Sequence, residues 1–405
     1  MAETRILPYV TLHTMKKRYL FCLAFLTACA TGKTVSTTEN PTAAVEPHVA
    51  AIRQQYAPDK RTVLFKVEPR GGWLTGETTS PEAKAALLEK LRSSGISLQD
   101  SLQVLPEASL AGKTQAVVKL SVANLRSEPK HPAELATQAT LGTPLRVWKQ
   151  QRGWYLVQTP DQYLAWVDGS GIQLMDAAQY ARWQQNPKLL YTQPYGFAFA
   201  QPNTQGATVS DLVYGDVLEL QEQKQGFYAV KFPDGRTGYV PAEAAMRYED
   251  WMSSRQPTEE NLVQSAKKLL GLPYLWGGTS FKGVDCSGFT KTVYFMNGLV
   301  LPRDASQQVN IGELVDTQNG WQNMRPGDLL FFGTPAQDGK PERVVHVGMW
   351  IGNNEFIHSA GSVRISSMDP AAPNYDESEH RRFLRAKHIP PQATVLDLRK
   401  TKLYQ

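Results

Sequence analysis

Cysteine is scarce in this chain. Three cysteines, Cys22, Cys29 and Cys286, stand in 405 residues, too few for a disulfide framework or a four-thiolate zinc site. Each thiol therefore needs its own explanation. Long apolar runs are also missing: the most hydrophobic stretch, near the amino terminus, is too short to span a bilayer as a helix. No block of like charges suggests nucleic-acid binding, although 43 Lys and Arg against 38 Asp and Glu give a net charge of +5.

That excess is concentrated at one end. From Met15 the chain reads Lys16, Lys17, Arg18 and then Tyr19-Leu20-Phe21-Cys22-Leu23-Ala24-Phe25-Leu26. A positive segment, a short apolar run and small residues make a secretory signal, with translation starting at Met15. Leu26-Thr27-Ala28-Cys29 resembles the bacterial lipobox, in which the chain is cut before a cysteine that becomes lipidated. Two or more acyl chains on Cys29 give a stable membrane anchor, at ~0.8 kcal/mol per buried CH₂. Residues 1–28 carry four positive charges and one negative, so +5 falls to +2 when they go. Ala30, where an aspartate would favour an inner membrane, points to an outer one.

Composition divides the rest. Residues 29–47, rich in Thr, Ala, Glu and Pro, read as a flexible tether behind Cys29. In 48–112, Val63, Phe65 and Val67 alternate as in a strand, Pro81 to Arg92 has helical spacing, and Leu102 to Leu105 reads as a second strand. This is a small α+β unit without visible chemistry. An ungapped repeat follows: Gly142, Leu145, Gly153, Tyr155, Val157, Pro160, Asp161 and Val167 recur 73 residues later as Gly215, Leu218, Gly226, Tyr228, Val230, Pro233, Asp234 and Val240. Short strands broken by Gly and Pro-Asp turns predict two small antiparallel barrels, 113–176 and 187–248. Their pattern resembles bacterial SH3-like barrels.

The chemistry lies in 255–390. Thr258 caps a predicted helix whose apolar face carries Leu262, Ala266 and Leu269. Cys286 falls at the start of another, where unpaired amides and the helix dipole favour a thiolate. His346 sits on an alternating strand, its ring opposite Val345, Val347 and Met349, suited to a general base facing a cleft. His358, on the partner strand of a hairpin, is placed to orient it.

The series Pro273-Tyr274-Leu275-Trp276-Gly277-Gly278, Asp285-Cys286-Ser287-Gly288-Phe289, Leu301-Pro302-Arg303-Asp304, Gly327-Asp328-Leu329, His346-Val347-Gly348 and Ile357-His358-Ser359-Ala360 resembles the NlpC family of papain-like cell-wall cysteine peptidases. The resemblance implies an α+β papain-like catalytic domain with Cys286 as nucleophile, His346 as base and His358 as orienter. It also implies Tyr274 and the Cys286 amide at the oxyanion, with Ser287 near the substrate backbone. Barrels joined to such a domain look like the enzymes that cut between γ-D-glutamate and a diamino acid in murein peptides with a free N-terminal L-alanine.

In those relatives the residue before the cysteine, here Asp285, joins an acid and a tyrosine of the first barrel in holding the amine. Glu134 and Tyr163 fit, since their counterparts in the repeat are Ala207 and Arg236 and the scaffold does not require them. The family often has serine after Arg-Asp; Ala305 stands there, with Ser306 next, so the substrate loop reads Arg303, Asp304, Ser306. The implied protein is an exported lipoprotein acting on murein stem peptides, with no cofactor or metal and no nucleic-acid partner. Two other readings use the same residues: an inactive murein-binding lipoprotein, and an acyltransferase with the same triad.

Overall fold

The computed structural model describes residues 41–390, 393 and 395–404. The signal segment, Cys22 and Cys29 lie outside the described residues. Within these, no helix is long and apolar enough to cross a membrane.

The amino-terminal unit has two helices, Pro41–Tyr56 and Pro81–Ser93, against a three-stranded sheet of Phe65–Arg70, Trp73–Thr78 and Gln99–Val104. Its first helix corrects the tether reading. The chain is helical from Pro41, because Val45, Val49 and Ile52 recur at helical spacing and bury themselves against Leu87 and Leu91. The second helix starts where Ser80 caps the Ala83 amide and Pro81 supplies a preset φ.

Two seven-stranded antiparallel barrels follow, and the 73-residue repeat is visible in their strands. Pro144–Gln151 matches Val217–Lys224, Trp154–Gln158 matches Phe227–Lys231, and Leu164–Asp168 matches Thr237–Pro241. The repeated glycines Gly153 and Gly226 take positive φ in the hairpin turns, as tight turns of this hand require. The barrels are tied to each other by buried Asp216, whose oxygens accept the amides of Leu141 in the first barrel (3.1 Å) and Val213 in the second (2.9 Å).

In the carboxy-terminal domain a six-stranded sheet runs Glu313–Val315, Phe383–His388, Leu329–Thr334, Arg343–Gly352, Glu355–Ala360 and Ser362–Ser367. Helices Glu259–Lys267 and Cys286–Phe295 cover one face, burying Leu262, Phe289 and Val293 against Val347, Met349 and Ile357. The other face packs Leu330, Phe332, Trp350 and Phe356.

Candidate active site

Thr279 and Val284 close a small hairpin that feeds straight into the Cys286 helix. Asp285 is the cap of that helix, accepting the Gly288 amide at 2.7 Å, so Cys286 is its first residue. The cysteine is buried at 8% exposure, with its sulfur facing the amides of Ser287 and Val347. The second of these belongs to the strand of His346.

Asp285 does more than cap. Its second oxygen accepts the Gly277 amide (2.9 Å), and Arg303 grips both oxygens, at 3.1 and 2.5 Å. Arg303 is 1% exposed and also donates to Ser287 Oγ (3.0 Å) and to Thr137 Oγ1 of the first barrel (3.0 Å). Burial works against the guanidinium charge, but Asp285 outweighs it and raises the Arg303 pKa. With its carboxylate so fully engaged, Asp285 has little capacity left for a substrate amine.

The thiol differs from expectation. Burial, then the neighbouring Asp285 charge, push Cys286 up to about 12, outweighing the two amides and Arg303. A helix N-terminus alone does not make a thiolate when the sulfur is dry and a carboxylate is adjacent. Tyr274 is also raised to about 12, by burial first and then by Cys286 and Asp285. Its phenol therefore stays protonated, a donor beside the sulfur.

His346 Nε2 lies 2.8 Å from His358 Nδ1, and His358 Nε2 lies 3.0 Å from Ser366 Oγ. Burial, then Arg382, lower His346 to about 4; His358 is lowered further by burial and by His346. Both rings are neutral near pH 7. The sequence places His346 facing a cleft; its ring is 8% exposed, and Arg343, Val344 and Val345 of the same strand form the cleft wall. Phe332 pairs with His346 but Gly333 with Val344, so Val345 is an extra, bulged residue that interrupts the alternation. No sulfur–imidazole hydrogen bond is formed among the described residues. Behind the rings, His346, His358 and Glu379 have ligand atoms within 4.8 Å of one another. Arg382 donates to Glu379 at 2.5 Å, so a cation already sits on the carboxylate a metal would need.

The cleft in front of Cys286, with about 590 Å³ open to water, is lined by Tyr274, Asp285, Ser287, Arg303, Asp304 and Ser306 of the catalytic domain, and by Glu134 and Tyr163 of the first barrel. Tyr163 donates to Asp304 Oδ2 at 3.2 Å, and Trp276 donates its indole N–H to Glu134 Oε1 at 2.8 Å. Gly277 makes this contact possible. It sits at φ +78°, and a Cβ there would be 2.3 Å from the Leu135 carbonyl of the barrel. Sequence reasoning missed Trp276 as a wall, although it stands inside a quoted motif. It also missed Lys60 and Arg61, which line the cleft from the unit read as having no chemistry; nothing near them in the chain signals it.

Residues 271–382 match the NlpC/P60 family, and residues 125–172 match the bacterial dipeptidyl-peptidase Sh3 domain. A Bacillus cereus protein named gamma-D-glutamyl-L-lysine dipeptidyl-peptidase is 31% identical over 262 residues, covering 62% of this chain and 76% of its own length. The chain belongs to the NlpC/P60 family. This NlpC/P60 cysteine peptidase is also 27% identical over 271 residues to dipeptidyl-peptidase 6 of Lysinibacillus sphaericus, covering 64% of this chain and 94% of that protein. Among solved structures, an NlpC/P60 family protein from Bacillus cereus superposes with TM-score 0.58 at 26% identity, over 68% of this chain and all of that one. The multidomain fold, with SH3-like and papain-like catalytic parts, accords with both matches.

Proposed function

We propose that this peptidase is exported, anchored through lipidated Cys29 to the outer membrane, and hydrolyses the bond between γ-D-glutamate and a diamino acid in murein peptides that begin with a free L-alanine. The product would be L-Ala-γ-D-Glu, as in recycling of peptides already freed from glycan. The observation that carries the reading is the acidic, tyrosine-bearing end of the cleft, where Glu134, Tyr163 and Asp304 from two domains meet beside Cys286. Glu134, exposed and held through one oxygen by Trp276, offers its carboxylate to an ammonium group, and an acylated nitrogen supplies no charge for it to pair with. The named activities of the Bacillus cereus and Lysinibacillus sphaericus relatives support it.

The proton order follows from the histidine network. If His346 Nε2–H donates to His358 Nδ1, and His358 Nε2–H to Ser366, then His346 Nδ1 is the free base. On substrate binding Nδ1 takes the Cys286 proton as sulfur attacks the γ-carbonyl carbon. The oxyanion accepts hydrogen bonds from the Cys286 amide, which has no intrahelical partner, and from Tyr274. Collapse breaks the C–N bond, and the proton on His346 goes to the leaving amine. Water, losing a proton to His346, then hydrolyses the thioester and frees the thiol.

The test offers L-Ala-γ-D-Glu-diaminopimelate and its N-acetyl form to the purified enzyme. Cleavage of the free peptide alone is expected, abolished in Cys286→Ala; equal cleavage of both overturns amine selection. For the anchor, a palmitate analogue should label the wild type and not Cys29→Ser.

A further inference from the structure

The amino-terminal unit reaches the active site through one turn. Asp59 shapes it: the Asp59 carbonyl accepts the amides of Thr62 (3.0 Å) and Val63 (3.1 Å), and Asp59 Oδ1 accepts the Arg61 amide (2.9 Å). The turn is held from two sides. Leu164 of the first barrel donates its amide to the Arg61 carbonyl at 2.6 Å, and Gln158 Nε2 donates to the Thr62 carbonyl at 2.8 Å. From the catalytic domain, Gln307 Nε2 donates to Asp59 Oδ2 at 2.8 Å.

Arg61 sits at the junction. Its Nε and Nη2 grip Asp59 at 2.8 Å each, while Nη1 donates to Asp304 Oδ2 and to Ser306 Oγ, both at 2.8 Å. The same Asp304 oxygen accepts from Tyr163. Three parts of the chain thus converge on one carboxylate at the wall of the cleft, with Lys60 beside them and also lining it.

We infer that Arg61, with Lys60, forms the end wall of the cleft and is a specificity-determining positioning residue, excluding peptides extended or acylated at the amino terminus. Arg61 fixes the Asp304 carboxylate in one orientation. Its turn, anchored to both neighbouring domains, cannot swing aside at low cost to admit a longer chain. The inference rests on the reading that the substrate amine lies at the Glu134–Asp304 end. A bidentate guanidinium fork is required; a lysine ammonium reaches Asp304 without also gripping Asp59.

The test measures kcat/KM for the free tripeptide and its N-acetyl form with wild type, Arg61→Ala, Arg61→Lys and Asp59→Asn, folding being checked by thermal melting. Arg61→Ala is expected to lower the free-over-acetylated ratio about tenfold or more, through newly gained cleavage of the acetylated peptide, which misfolding cannot produce. Arg61→Lys should recover the ratio only in part, and Asp59→Asn, which frees the fork, should lower it in the same direction. If wild type discriminates and all three variants discriminate equally well, the inference is overturned while amine selection stands. Equal cleavage of both peptides by wild type overturns the two together.

Discussion

At the scale of single residues, Cys286 is the informative case. The sequence pattern of a cysteine beginning a helix leads to a lowered pKa, and the helix is there. Solvent exclusion and the charge one residue away decide the opposite sign. The resting enzyme therefore pairs a thiol with a neutral imidazole, and proton transfer to His346 accompanies attack. Alkylation of free wild-type enzyme by iodoacetamide is expected to be slow at pH 7 and to keep rising through the alkaline range. Asp285→Asn removes the like charge, so its alkylation profile should shift to lower pH. An unshifted profile would show that the carboxylate does not control the sulfur. Position 285 was legible as part of a motif, but its role as the partner of Arg303 was not, because Arg303 lies 18 residues away.

At the scale of elements, local signals worked where local physics governs. The Thr258 cap, the Pro at the start of the helix after Ser80, and the hairpin glycines were readable because each satisfies a backbone need within a few residues. They failed at the bulge containing Val345, where a register shift against Gly333 decides which side chain meets the cleft. The loop 273–278 shows both regimes. Its glycines mark a turn, yet Gly277 is also required by a backbone of the first barrel. Gly277→Ala is expected to strain the left-handed turn and to push the loop off Leu135, weakening the Trp276–Glu134 bond. A rise in KM for the free tripeptide exceeding the fall in kcat is the expected result; unchanged kinetics would mean the barrel contact does not shape the cleft.

At the scale of the whole molecule, the barrels and the catalytic domain are joined by ion pairs and by the carboxy-terminal segment. Lys291 pairs with Asp161 of the first barrel at 2.5 Å, and Lys282 with Asp211 of the second at 2.7 Å. Tyr404, 2% exposed, packs edge-on to Tyr248 at 5.1 Å and near Trp183, which lie beside the second barrel and catalytic domain. Tyr404→Ala should cost about 3 kcal/mol, the usual loss for a buried aromatic, seen as a melting temperature lower by several degrees. A melting temperature equal to wild type would show that the segment is not part of the cooperative core.

The sequence by itself determined the repeat, the two barrels it encodes, the nucleophile and its two histidines as candidates, and the family resemblance that the comparisons later bore out. These rest on periodicity, turn chemistry and ordered short motifs, all of which act over a few residues. Only the tertiary structure decided that Arg61 meets Asp304 across 243 positions, that Trp276 meets Glu134, and that Cys286 is held as a thiol. Those facts depend on which side chains become neighbours and how much water remains between them. No stretch of local sequence carries that information.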